Sequence, residues 1–175
     1  DRAFGRLIAT IVLRRHGSLA AVISSFIERP LLPEAYRARH ILLIGTAQLL
    51  LLDTPPHAAI NLAVEQCRQD KIAQRFHKLV NAVLRRVATV GRKKLEAVDW
   101  PRADIPSWMW ERWVAAYGPD TTRQIAASSL AEPALDISVK GNPNEWAKRL
   151  GGHVLRTGSI RLFEHGRVED LPGFA

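Results

Sequence analysis

Cysteine is almost missing from this chain: Cys67 is the only one in 175 residues. A lone cysteine excludes an internal disulfide framework and leaves no cluster for structural zinc, so the composition points to an intracellular protein, with the cytoplasm as the expected location. Long apolar runs are missing too. The longest, Ile41 to Leu52, contains Gln48 and is too short to span a bilayer. No signal peptide is recognisable and no membrane partner is expected. Catalytic constellations are absent: there is no G-x-G-x-x-G after a strand, no P-loop, no H-E-x-x-H and no G-x-S-x-G. Gly151-Gly152 reads as a helix stop without a phosphate-loop context. Cys67 falls on the apolar side of its helix, as a small core residue would. His40 has no second ligand at metal spacing, and His57 sits in a first helical turn, where packing or capping is the commoner role. No catalytic, cofactor or metal site is therefore expected in these residues.

Acidic residues are scarce in one part only. Residues 1–100 hold 16 Lys and Arg against 8 Asp and Glu, and residues 101–175 hold 9 of each, so the whole net charge of +8 lies in the first segment. That asymmetry calls for an anionic partner, with nucleic acid ahead of membrane.

What is present is mostly helical periodicity. Phe4, Leu7, Ile8, Ile11 and Val12 make one face of a helix over 2–15. Gly17 is expected to end it and Ser18 to cap a second helix carrying Leu19, Val22, Ile23, Phe26 and Ile27. A third helix, from about Pro33 to Leu52, is apolar nearly all round in its second half, as the central helix of a bundle is. Gly45 within it predicts a close helix crossing. Asp53 or Thr54 is expected to cap a fourth helix, with Pro56 in its first turn. Phe76, Leu79, Val80, Val83, Leu84 and Val87 then stripe a fifth, closed by Gly91 in a left-handed cap. Five helices with short connections predict an all-α bundle over 1–98.

Residues 99–106 (DWPRADIP) read as a linker. Beyond it, Trp108, Met109, Trp110 and Trp113 lie on a helix whose aromatics serve either inter-domain packing or base stacking. A weaker helix follows from about Asp120 to Ala131. Leu135, Ile137 and Val139 alternate as in a half-buried strand, Asn142-Pro143 caps a short helix, and Ile160 and Leu162 mark another strand. The 107–175 segment is thus a partial α/β unit.

The basic residues suited to phosphate contact fall in three groups. Arg2, Arg6 and Arg14 recur along the first helix, with Arg15 at its end. Arg75, Lys78, Arg85 and Arg86 flank the stripe of the fifth. Arg92, Lys93 and Lys94 form a basic loop after it. Solvated surface is the competing reading for each group.

GTAQLLLLDTPPHAAINLAVE followed by KLVNAVLRRV resembles the NusB-type domain at the front of the Sun/Fmu (RsmB-like) rRNA cytosine-5 methyltransferases. IPSWMWERWVAAYG, AEPALDISVK and TGSIRLFEHGRVEDLPGFA resemble, in order, the segment leading into that family's catalytic domain. The resemblance implies an RNA-binding module followed by part of a ferredoxin-like substrate-recognition domain. It implies rRNA as partner, and S-adenosylmethionine as methyl donor for a parent enzyme. The donor site and catalytic cysteines would lie after Ala175, and Cys67 matches neither, so no methyl transfer is expected from these residues alone. The chain opens inside a helical pattern without an initiator Met and reads as a piece of a longer polypeptide. Its own catalytic domain and transcription or ribosomal proteins are further partners under this resemblance. NusB-type domains also act as protein-interaction modules in transcription antitermination, which is the alternative function.

Overall fold

Apolar residues recur every three to four positions from Phe4 to Val87, and the structure turns each such run into a helix. The computed structural model describes residues 2–131, 133–164 and 166–174; Asp1, Glu132, His165 and Ala175 lie outside the description. The chain divides into two compact units, one ending at Leu130 and one beginning at Ala131.

The first unit contains α1 (Arg2–Arg14), α2 (His16–Ser24), α3 (Tyr36–Leu51), α4 (Pro56–Gln69), α5 (His77–Glu96), α6 (Trp100–Ala103), α7 (Ser107–Tyr117) and α8 (Pro119–Leu130). Helix α3 is its centre. Ten of its sixteen residues are buried, and α1, α2, α4 and α5 pack around it. This is the all-round burial its composition predicts. Gly45 lies at the expected close crossing, where a Cβ would come within 2.7 Å of the Leu84 side chain on α5. Leu19, Leu42, Leu43, Val80, Leu84 and Val87 fill the same core.

Four local expectations change. Gly91 does not cap α5; it lies inside it, buried, where a Cβ would meet Leu50 at 3.3 Å. A glycine after an apolar stripe suits a helix end or a close crossing, and Leu50 on another helix decides it. Arg92, Lys93 and Lys94 consequently occupy the last turns of α5, not a loop. Neither Asp53 nor Thr54 caps α4, whose preceding residue is Pro55 with no side-chain cap. Asp53 instead takes a positive φ of 47°, and Thr54 N–H donates to the Gln48 carbonyl at 3.0 Å. Gly17 and Ser18 fall inside α2, which starts at His16.

The last change explains why 99–106 is not a free linker. Pro101 sits in the first turn of α6, and Asp104 just beyond it reaches back to α2. Its carboxylate accepts from the Ser18 N–H at 2.6 Å and from the Ser18 hydroxyl at 2.5 Å. Asp104 therefore caps α2 from 86 residues away. Gly17 permits this approach, because a Cβ there would lie 1.7 Å from the Ala103 carbonyl oxygen.

Among its described residues the second unit has a three-stranded antiparallel sheet, one α-helix and a 3-10 turn at Val168–Asp170. Strands β1 (Leu135–Ile137), β2 (His153–Val154) and β3 (Ile160–Leu162) lie in the order β1-β3-β2, with Leu135 opposite Leu162 and Val154 opposite Ile160. The helix α9 (Pro143–Leu150) is capped by the Asn142 side chain and closed by Gly151 at φ 67°, as its sequence signals predict. Ile160, Leu162 and Ala147 form the centre of a small core with Trp146, Leu150 and Leu171. β1 stops at Ile137, short of Val139, and β2 follows the Gly151-Gly152 stop.

Candidate nucleic-acid interface

Helix α5 carries the densest positive charge. Its sequence, HKLVNAVLRRVATVGRKKLE, holds six Lys and Arg and one Glu. Val80, Val83, Leu84, Val87 and Gly91 face the core, so the cations must point elsewhere. Lys78, Arg85 and Arg92 follow at seven-residue steps, which is nearly two helical turns, and so form one line about 10 Å apart. Arg86 and Lys93 border that line. All of these residues, and Lys94, are exposed.

Arg75 enters this surface from a 3-10 turn, Gln74–Phe76, directly before α5, and the loop leading into that turn is well tied. Asp70 accepts from the Ile72 N–H at 2.8 Å and the Ala73 N–H at 2.9 Å. These two amides, Ala73 foremost, hold the Asp70 carboxyl below its ordinary range, and Arg37 at 3.8 Å adds to the effect. The buried Cys67 thiol meets the Ala73 carbonyl at 3.0 Å. Burial, with the Asp70 charge behind it, pushes that thiol up from its ordinary value. Cys67 is thus a core residue bracing the loop. The Arg75 guanidinium stands over the Phe76 ring at 4.8 Å, and that of Arg86 over Phe26 at 5.8 Å. Stacking restrains both side chains while leaving their charge outward.

The remaining cations are placed differently. Arg15 is committed to a structural pair: it meets the buried carboxylate of Asp104 at 3.0 Å and lies over Trp100. Arg92 pairs with Asp53 at 3.0 Å, but both side chains are largely exposed, so the pair is weak and exchangeable. Arg2 and Arg6 are exposed and Arg14 half-buried on α1, whose main partners are α3 and α2, while α5 packs on α2, α3 and α4. The α1 stripe and the α5 line are therefore carried by different helices, each docked separately on α3.

Trp108 is 60% exposed at the start of α7, and no residue of that helix is fully buried. Trp110 packs against the guanidinium groups of Arg102 and Arg123 at 5.3 and 6.0 Å. Among the described residues no group of three His, Cys, Asp or Glu could hold a metal ion. Likewise, no single helix among them is long and apolar enough to cross a membrane.

The helical arrangement around α3 has a known counterpart: residues 1–89 match the NusB family. The chain belongs to the NusB family. It is similar along its whole length to the ribosomal RNA small subunit methyltransferase B of Xanthomonas campestris, at 32% identity over 186 residues and 41% of that protein. The corresponding protein of Xylella fastidiosa is 35% identical over 187 residues, covering 99% of the chain and 41% of the relative. A probable methyltransferase B from Synechocystis is 27% identical over 193 residues, covering the whole chain and 43% of the relative. The chain thus spans about two fifths of the length of these curated relatives. The NusB match ends inside α5, so α6 to α8 extend the helical unit beyond the matched residues.

Proposed function

We propose that this chain is the RNA-holding front portion of an S-adenosylmethionine-dependent rRNA cytosine-5 methyltransferase. The helical unit grips rRNA through its phosphates and helps deliver a cytosine to a catalytic domain. The unit that begins at Ala131 is part of the substrate-recognition domain of the same protein, which works in the cytoplasm. The observation that carries this reading is the exposed line Lys78, Arg85 and Arg92 on α5, flanked by Arg75, Arg86, Lys93 and Lys94. Arg2, Arg6 and Arg14 supply a second, separate set of phosphate contacts on α1. Arg15 has a structural role and is left out of the set.

The Gly151-Gly152 bend does not fit the methyl donor. Its site needs an open glycine loop after a strand. Gly151 instead closes α9, and a Cβ on Gly152 would lie 2.5 Å from Leu162 and 2.6 Å from Ile160, so that bend is filled by the protein's own core. In this reading donor binding and methyl transfer are assigned to a catalytic domain of the parent enzyme, and the chain's own contribution is affinity and orientation.

Phosphate binding makes a quantitative demand. Each neutralised phosphate contributes about 0.7–0.9 to the slope of log affinity against log salt. Gln has nearly the helix propensity of Lys and Arg, so replacing Arg75, Lys78 and Arg85 by Gln leaves the fold intact. The test is a salt titration of affinity for a labelled structured RNA. The triple variant is expected to bind more weakly, with a slope lower by roughly 2–3. Equal affinities and slopes would show that this face is only solvated. The second reading, a protein-interaction module of the antitermination type, would then take precedence.

A further inference from the structure

Beside the basic line, α4 and α5 leave an open groove of about 540 Å³, within the size range of small-ligand sites. Helix α4 contributes Asn61, Val64, Glu65 and Arg68, spaced as one helical face, and α5 contributes His77, Lys78 and Asn81. Ala63 and Cys67 on α4 and Val80 and Leu84 on α5 are buried in the core beneath these two helices. Lys78 belongs both to this groove and to the exposed line on α5.

The groove has a mixed lining, and most of its polar side chains are unengaged. Among the described residues, no hydrogen bond or ion pair holds the side chains of Asn61, Arg68, Lys78 or Asn81. Its one acid, Glu65, already accepts from the Gln69 amide at 2.8 Å. The His77 Nδ1 lies 2.7 Å from the Gln74 carbonyl. A carbonyl cannot donate, so Nδ1–H does, and Nε2 is the ring nitrogen left for a ligand. Two carboxamides, each with paired donors and an acceptor, are suited to the edge of a nucleobase. Two cations beside them suit its phosphate, and Val64 offers an apolar wall.

We propose that the α4–α5 groove is a nucleotide subsite: Arg68 and Lys78 hold one phosphate of an RNA strand, and Asn61 and Asn81 hydrogen-bond the base attached to it. This rests on the RNA-holding function proposed above and adds base selectivity to it. The strand enters the groove at Lys78 and continues along Arg85 and Arg92. An acidic peptide would satisfy the two cations but would leave both carboxamides without a matching edge.

The test uses the whole chain, fluorescently labelled twelve-residue homopolymers of A, C and U, and poly-glutamate as a competitor. The variants are Asn61→Ala/Asn81→Ala and Arg68→Gln, all at exposed or half-buried positions, with folding checked by circular dichroism. Wild type is expected to prefer one homopolymer by about fivefold or more, the scale of a good base contact. The double variant should flatten that preference to within about twofold while keeping the salt slope. Arg68→Gln should keep the preference and lower the slope by about 0.7. A double variant that retains the wild-type preference overturns the subsite, as does a wild type without preference, and RNA binding itself survives either result. Loss of poly-glutamate binding with RNA binding unchanged would assign the groove to a protein partner and overturn it too. A wild type that binds no homopolymer and no structured RNA would overturn the RNA-holding function and the subsite together.

Discussion

Replacing Gly17 by alanine would put a methyl group onto the backbone of another helix. The added Cβ would lie 1.7 Å from the Ala103 carbonyl oxygen and 2.5 Å from its carbon. A tolerable carbon–oxygen contact is about 3.3 Å or more, so α6 must retreat by about 1.5 Å. Ala103 adjoins Asp104, whose buried carboxylate holds Ser18 and Arg15. The retreat therefore strains the cap and the ion pair as well. Overpacking costs about 1–3 kcal/mol, and loosening a buried pair adds part of the roughly 3–5 kcal/mol that breaking one costs. Alanine in a helix interior returns about 1 kcal/mol against glycine. The net expectation is a loss of about 2–4 kcal/mol, or a melting temperature lower by about 5–15 °C for a unit of this size. Gly45→Ala is the internal control. Its Cβ would meet the Leu84 side chain at 2.7 Å, a terminal methyl that can turn aside, so the net loss should be about 0–2 kcal/mol. The assay is thermal and urea unfolding of the whole chain, followed by helical circular dichroism. Gly17→Ala as stable as wild type, or no less stable than Gly45→Ala, would refute the docking of α6 on α2.

Gly45→Leu cannot be relieved by a rotated methyl and should destabilise by at least about 1–3 kcal/mol in the same assay; unchanged stability would remove the close crossing of α3 and α5. The Asp70 carboxyl should titrate below its ordinary value of 3.8 by carbon NMR. Because its folded value is depressed, its support of the loop is complete above the ordinary value and is lost as pH falls through the folded one. A midpoint at or above the ordinary value would mean that the Ile72 and Ala73 amides are not held in solution. The Cys67 thiol should react with a disulfide reagent only on unfolding, since it is buried and its ionisation is raised. Rapid reaction in the native chain would contradict the bracing of the loop that leads to Arg75.

Helices α2 to α5 were legible because burial repeats along the chain at three and four residues, whereas the apolar stripe of α1 has the same period with no fully buried residue; the all-round apolar run of α3 announces its central place. Gly45 could be read because it sits mid-helix in that run. Gly91 could not, since Leu50, the residue it approaches, lies on another helix. The 99–106 stretch was misread for the same reason. Its prolines and aspartates look like punctuation, and nothing near Asp104 in sequence reveals Ser18 as its partner. Arg15 resembled its neighbours on α1 until Asp104 came beside it. The groove residues Asn61, Arg68, His77 and Asn81 did not stand out, being ordinary polar positions on two separate helices. The one hint was their spacing toward the same inter-helical seam, at positions 61, 65 and 68 and at 78 and 81. The line on α5 was half legible: its charges were plain, but extending it through Arg92 required knowing that the helix runs to Glu96.

The central claim is that RNA lies along α5, and ultraviolet crosslinking tests it most directly. The whole chain is irradiated with a structured RNA at low salt, digested, and the crosslinked peptides are mapped by mass spectrometry. The account predicts crosslinks concentrated between Arg75 and Lys94, with a second cluster in α4 around Asn61 to Arg68. Crosslinks confined to α7 or to the unit that begins at Ala131, with none in α4 or α5, would contradict it.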